Sequence, residues 1–198
     1  ILWINLVATV ALALPLGFEA MEPNLMFRPP RDPGEPVLSR FVIGRTLVVT
    51  VLITVGGVGL FLYEYFTELA AHTNAELALR EAQTMAVNTV ILMQVFYLFN
   101  CRSLKDSILK IGLFSNPTVY IGIAVLLILQ MGFIYLPFMN LLFGSAPLNL
   151  DAWLKSIFCA AMVLPVISLE KWLRSPLDFS PGSRLNRFGR GSDEDDII

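Results

Sequence analysis

The chain has 198 residues, 56% of them hydrophobic and 15% charged, and its mean hydropathy of +0.68 lies well outside the range of a water-soluble domain. A formal net charge of -2 excludes the basic footprint of a nucleic-acid binder, so no nucleic-acid partner is expected. Apolar surface on this scale needs lipid as its solvent, which makes the bilayer the first expected partner.

The sequence opens directly on ILWINLVATVALALPLGF, with no initiator Met, basic n-region or small-residue cleavage site ahead of it. The chain is therefore expected to begin partway through a longer polypeptide. A transmembrane helix needs about 20 mostly apolar residues, and the stretches 1–18, 41–63, 84–100, 118–138 and 152–172 approach that length. The expected fold class is all-α, a polytopic membrane helix bundle of five transmembrane helices spread over residues 1–174. Between the first two, residues 19–40 carry five prolines, which prevent a continuous helix and make a stiff, extended connector. Residues 64–83 mix polar and small side chains, and a short interfacial or extramembrane helix is expected there. From 101 to 116, Leu104, Ile108 and Ile111 recur at helical spacing with Lys105 and Lys110 opposite, predicting an amphipathic helix at the membrane surface. The turn over 140–151 holds Gly144, Pro147 and no basic residue. Residues 175–198 are too poor in large apolar side chains to fold and are expected to be a disordered cytosolic tail.

Basic residues near helix ends set orientation. Arg28, Arg31 and Arg40 stand in the first connector, Arg102, Lys105 and Lys110 in the third, and Lys171, Arg174, Arg184, Arg187 and Arg190 at the C-terminal end. The second connector has only Arg80 and the fourth has none. The first and third connectors and the C-terminus are thus expected in the cytosol.

Polar side chains inside a membrane helix are expensive unless paired or facing a watery path, so they are the first functional candidates. Asn5 and Thr9 lie four apart, on one helix face. Pro15 has no N–H to give to the carbonyl of Ala11, which makes that carbonyl a candidate backbone ligand. Amide, hydroxyl and carbonyl oxygens are hard ligands suited to alkali and alkaline-earth cations. The plainer alternative is that Asn5 and Thr9 bond neighbouring helices and Pro15 introduces a kink. Asn88, Thr89 and Gln94 share the third span. Gln94, inside VILMQVFYLF, must find either another helix or an ion. Gln130 is similarly buried in the fourth span, with nothing in the sequence tying it to the others, and reads as helix–helix glue. Gly56, Gly57 and Gly59 form a flat surface for helix packing. Cys101 and Cys159 lack the number and spacing of a disulfide framework or a metal site. His72 is the only histidine and sits in a polar connector, so no resident metal site is expected. There is no GxxxxGK[ST] loop, no GxGxxG and no soluble stretch long enough for a catalytic domain.

The run LWINLV, then LGFE, a Met shortly before RPPR, a Pro-rich stretch and a Ser opening the next helix resemble the sixth transmembrane helix and following cytosolic loop of type II P-type ATPases, the group of calcium pumps and sodium/potassium pumps. AQTMAVNTVILMQVFYLFNCRS is similar to the eighth helix, SNPTVYIGI to the start of the ninth and LPVISLEKWLR to the end of the tenth. The resemblance covers the chain up to Arg174 and implies that the five spans are helices six to ten. In that family the sixth helix is partly unwound and offers an Asn, a Thr and an Asp to the transported ions. Asn5 matches the Asn, Ala8 falls where the Thr is expected, and Thr9 falls where the Asp is expected, so the central carboxylate is missing. Gln94 falls where calcium pumps carry a Glu or a Gln. The resemblance thus implies a cation pump whose site takes Asn5, Thr9 and Gln94, with the Ala11 carbonyl as a further candidate. Its other partners are the transported cation and the upstream pump domains of the same polypeptide. ATP and Mg belong to the parent pump and no cofactor to this chain, which lacks the DKTGT motif on which the family forms its aspartyl-phosphate. The expected location is the plasma membrane.

Two other classes compete. A non-enzymatic membrane scaffold or truncated pump remnant would need a start codon close upstream of Ile1, whereas the pump needs an open frame containing DKTGT. A secondary transporter would need internal pseudo-symmetry, which the sequence lacks.

Overall fold

The computed structural model describes residues 2–18, 40–71, 74–101 and 116–174, and every regular element among them is helical. A π-helical turn, Ile4–Ala8, leads into α1, Thr9–Leu16. There follow α2 (Arg40–Ala70), α3 (Ala75–Cys101), α4 (Pro117–Tyr135), α5 (Pro137–Phe143), α6 (Leu150–Ala161) and α7 (Val163–Arg174). Four stretches are long and apolar enough to cross a membrane: Val42–Ala70, Ala75–Cys101, Pro117–Tyr135 and Leu150–Glu170. The first helix, Ile4–Leu16, is apolar but shorter. The chain is therefore a helix bundle with five apolar helical segments, four of them of full spanning length among the described residues. The connector over 19–39, the amphipathic stretch over 102–115, His72 and the tail over 175–198 lie outside the described residues.

Element boundaries differ from expectation in three places. No separate surface helix occupies 64–83, because α2 runs on to Ala70 and α3 begins at Ala75. At 1.5 Å per residue these helices are about 46 and 40 Å long, against a hydrocarbon core of about 30 Å, so their polar ends rise beyond the lipid instead of forming an element of their own. Asn74 starts α3 by accepting from the Glu76 N–H at 2.9 Å. The fourth span breaks at Leu136 (φ -77°, ψ 126°), because Pro137 disfavours helical backbone in the residue before it and then opens the short α5. Gly144, at φ 67°, ends α5 in the left-handed conformation that glycine adopts without steric cost. In the fifth span the helix is interrupted at Met162, three residues before Pro165. Residues from Pro165 onward form a separate compact unit, whose described part is the remainder of α7.

Within the first unit α3 is the hub, with 56% of its most apolar stretch buried against 11% for α2. Ile91, Val95 and Leu98 of α3 pack on Ala8 and Leu12 of the first helix and on Val119 and Leu126 of α4. Toward its N-terminus, Met85 packs with Phe133, Ile134, Leu148 and Ala152. On α2, Leu47, Val51, Val55, Val58, Leu62 and Phe66 make an exposed stripe at helical spacing, as suits a face turned to lipid. The glycine surface of α2 is real at two of its three positions. Gly56 lies against Met93 and Cys159, and Gly57 against Val90, where an added Cβ would stand 3.0 Å from Cγ2. Gly59 is exposed with nothing within 4 Å of an added Cβ, so it takes no part in this packing. Cys101 and Cys159 are not joined in a disulfide.

Polar bonds gather at two rims. At one, the Ala146 N–H donates to Thr84 Oγ1 at 2.9 Å, and Lys155 Nζ lies 3.6 Å from the buried Glu64 carboxylate and 4.8 Å from the Tyr63 ring centroid. These contacts tie α3 to the 144–149 stretch and α2 to α6. At the other, Asn116 Nδ2 donates to the Pro15 carbonyl at 3.2 Å, joining the end of α1 to the start of α4. Second and fourth connectors therefore share one side, as the alternating topology requires.

Candidate functional site

Asn5 stands inside the π turn. The turn's i→i+5 bonding adds a residue to the local register and shifts which backbone groups pair, a rare arrangement found mostly as single turns within α-helices and often at functional sites. Its residues, INLVA, include neither Gly nor Pro, so no local breaker marks it. Downstream, Pro15 withholds its N–H as expected. The Ala11 carbonyl is nevertheless covered: it lies against Gly122 of α4 so closely that an added Cβ there would overlap it and would stand 2.6 Å from Pro15 Cγ.

The three side chains expected to line a cation path share one property. Asn5 and Thr9 are exposed and Gln94 is half-buried, and none of the three makes a side-chain hydrogen bond among the described residues. Nor does the structure bring them into contact with one another by hydrogen bonds. Gln94 lies between two packed faces of α3. At 100° per residue it flanks Ile91 and Leu98, which pack on the first helix, and Val90, which meets Gly57 of α2.

Several buried polar side chains form hydrogen bonds, although the Asn88 Nδ2 has no partner among the described residues. Thr89 Oγ1 donates to the Met85 carbonyl at 2.8 Å and bonds Ser156 Oγ of α6 at 3.1 Å. Asn116 accepts from the Thr118 N–H at 3.0 Å, capping α4, and also bonds Thr118 Oγ1. Gln130 and Asn88, both fully buried, bond each other, Gln130 Nε2 donating to Asn88 Oδ1 at 3.3 Å. Gln130 is helix–helix glue as its sequence setting suggests, but it is also tied to the first helix, because Trp3 Nε1 donates to its Oε1 at 3.0 Å. Nothing in the spacing of the first helix singles out Trp3. The available signal was its indole N–H, which needs an acceptor wherever it is buried. Its ring stacks on Phe133 (centroids 4.9 Å apart, 25° between planes) and meets Phe143 edge-on at 5.7 Å. A cavity of about 640 Å³ opens beside it, lined by Trp3, Phe61, Gln83, Thr84, Phe133 and Phe143 among others. Among the described residues no group of three or more His, Cys, Asp or Glu side chains is placed to hold a metal ion.

Residues 1–173 match the family described as cation transporting ATPase, C-terminus. The chain is 37% identical over 167 residues to the probable cation-transporting ATPase F of Mycobacterium tuberculosis, covering 84% of this chain and 18% of that protein. It is 32% identical over 173 residues to a cation-transporting ATPase of Synechocystis, with 84% and 18% covered. It is 29% identical over 175 residues to calcium-transporting ATPase 1 of Saccharomyces cerevisiae, with 88% and 18% covered. The chain thus spans less than a fifth of the length of these relatives. A match running through every described helix, carried by a bundle of apolar spans, makes this chain a member of the cation transporting ATPase C-terminal family.

Proposed function

We propose that the chain is the C-terminal membrane part of an ATP-driven cation pump, in which Asn5, Thr9 and Gln94 offer oxygen ligands to the transported ion. The observation that carries this reading is the division among polar side chains. Thr89, Asn116 and Gln130 are spent on bonds between helices, and Asn88 bonds Gln130 through its oxygen while its buried Nδ2 has no partner among the described residues. Asn5, Thr9 and Gln94 make no side-chain hydrogen bond among the described residues. A polar group at membrane depth is stabilised only by a partner or by a watery path, and an ion in transit is such a partner. The Ala11 carbonyl, turned onto Gly122, is left out of the ligand set. ATP and Mg act on upstream domains of the same polypeptide, and no residue of this chain is assigned to them. The pump sits in the plasma membrane with its C-terminus in the cytosol.

Neither the amides nor the hydroxyl supplies a formal negative charge, and a divalent ion leaving water demands charge compensation in a low-dielectric interior. One monovalent cation or proton per cycle follows. Transport of two calcium ions per ATP by the full-length pump would refute this stoichiometry. The reading itself is tested by ion-dependent ATPase activity of the full-length pump carrying Asn5→Ala or Gln94→Ala. Each should raise the half-activating ion concentration about tenfold, the equivalent of about 1.4 kcal/mol for a lost ligand. Unchanged ion affinity in both variants would reduce the two residues to packing.

A further inference from the structure

We propose that Gln130 is a positioning residue for this cation site: by holding the Trp3 indole N–H, it fixes where the π turn Ile4–Ala8, and Asn5 within it, stands against α3 and α4. The inference rests on the site reading above.

Trp3 immediately precedes the π turn, and its side chain is tied to α4 through the 3.0 Å bond to Gln130 Oε1. The orientation of the Gln130 amide is determined by its neighbours. Its oxygen must face the indole, which can only donate, and its NH2 group is then turned to Asn88 Oδ1 at 3.3 Å. Reversing the amide would set two donors against each other and two acceptors against each other. Both amides are fully buried, so breaking either bond leaves an amide group of Gln130 unpaired in a largely apolar interior. The plane of the indole is held separately by stacking on Phe133, three residues along α4 from Gln130. The far end of the first helix is pinned to the same partner, Asn116 donating to the Pro15 carbonyl at 3.2 Å. Asn5 and Thr9 therefore occupy a stretch fastened at both ends to α4 and free of side-chain hydrogen bonds in between. Releasing the Trp3 end lets the π turn shift, and the ligand oxygen of Asn5 shifts with it.

Two variants isolate the bond in the full-length pump. Gln130→Leu removes both of its hydrogen bonds at similar volume, and Trp3→Phe removes only the N–H while keeping a ring on Phe133. Each should raise the half-activating ion concentration about tenfold with the saturating rate held within about twofold. The double variant should be no worse than either single one, because both break the same link. In the chain labelled at its indole nitrogens, hydrogen exchange of the Trp3 N–H should be protected and should lose that protection in Gln130→Leu. Unchanged ion affinity in Gln130→Leu and Trp3→Phe, beside weakened affinity in Asn5→Ala, overturns the positioning role and leaves the site reading standing. A fall in saturating rate at constant affinity also overturns it, marking a purely structural contact. Unchanged affinity in Asn5→Ala together with Gln94→Ala removes the site itself.

Discussion

Gly122→Ala should prise the first helix from α4 and destabilise the bundle by about 1–3 kcal/mol, the range for overpacking a well-packed interior, while Gly59→Ala should leave stability unchanged. The added methyl group would overlap the Ala11 carbonyl oxygen and stand 2.6 Å from Pro15 Cγ. A backbone oxygen and a proline ring on a rigid helix cannot swing aside, so the two helices themselves must move apart. Gly56 provides the contrast. An added methyl there would meet the terminal methyl of Met93, the far end of a flexible side chain, and Gly56→Ala should cost less. The close approach at Gly122 depends on Pro15 as well. Because Pro15 has no N–H, the Ala11 carbonyl lacks its usual i+4 donor, and the α4 backbone at Gly122 covers it, an arrangement in which a Cα–H to carbonyl contact adds a little stabilisation. Thermal unfolding in detergent, followed by circular dichroism, measures all three variants. Equal melting temperatures for Gly122→Ala and the parent would show that the helices are not locked at this point.

How far the sequence discloses the architecture depends on which physical constraint acts. Bilayer thickness acts on every span, so the apolar stretches were legible from length and composition alone. The extent of α2 and α3 was not, because Glu64, Glu68, Glu76 and Arg80 mark a stretch as wet without saying whether it is a new element or the continuation of a helix into water. The break before Pro137 was in principle readable, since the residue preceding a proline avoids helical backbone. The π turn was not, because INLVA carries no residue that distinguishes it from ordinary helix. The polar side chains divide in the same way. Each of Asn88, Gln94 and Gln130 is visibly an amide at membrane depth, but whether it meets another helix depends on the rotation and vertical register of helices that are distant in sequence, which no single helix encodes. Trp3 and Gln130 are 127 residues apart, and only folding shows that one supplies the donor the other accepts. Gly59 fails for the same reason: its neighbours Gly56 and Gly57 face α3 and α6, and the helical period carries it round to the open side.

Replacing Thr9 with Asp should convert the site toward divalent ions, with the half-activating calcium concentration of the full-length pump falling at least about tenfold, provided Asn5 and Thr9 line the path as proposed. The resemblance to calcium pumps puts a carboxylate at this position, and its absence is the strongest local reason to expect a monovalent ion or proton. A unit charge about 4 Å from another is worth about 4 kcal/mol at an effective dielectric constant of 20. Doubled for a divalent ion, that attraction exceeds the roughly 1.4 kcal/mol needed for a tenfold shift even after much of it is lost to desolvation. The substitution brings little steric cost, because Thr9 is exposed in the described bundle and makes no side-chain hydrogen bond there. Thr9→Asn is the matched control: it has nearly the same shape and an oxygen ligand but no charge, and it should not confer the calcium response. If Thr9→Asp and Thr9→Asn behave alike, charge at this position does not reach the ion, and Thr9 lies outside the path even if Asn5 lies on it.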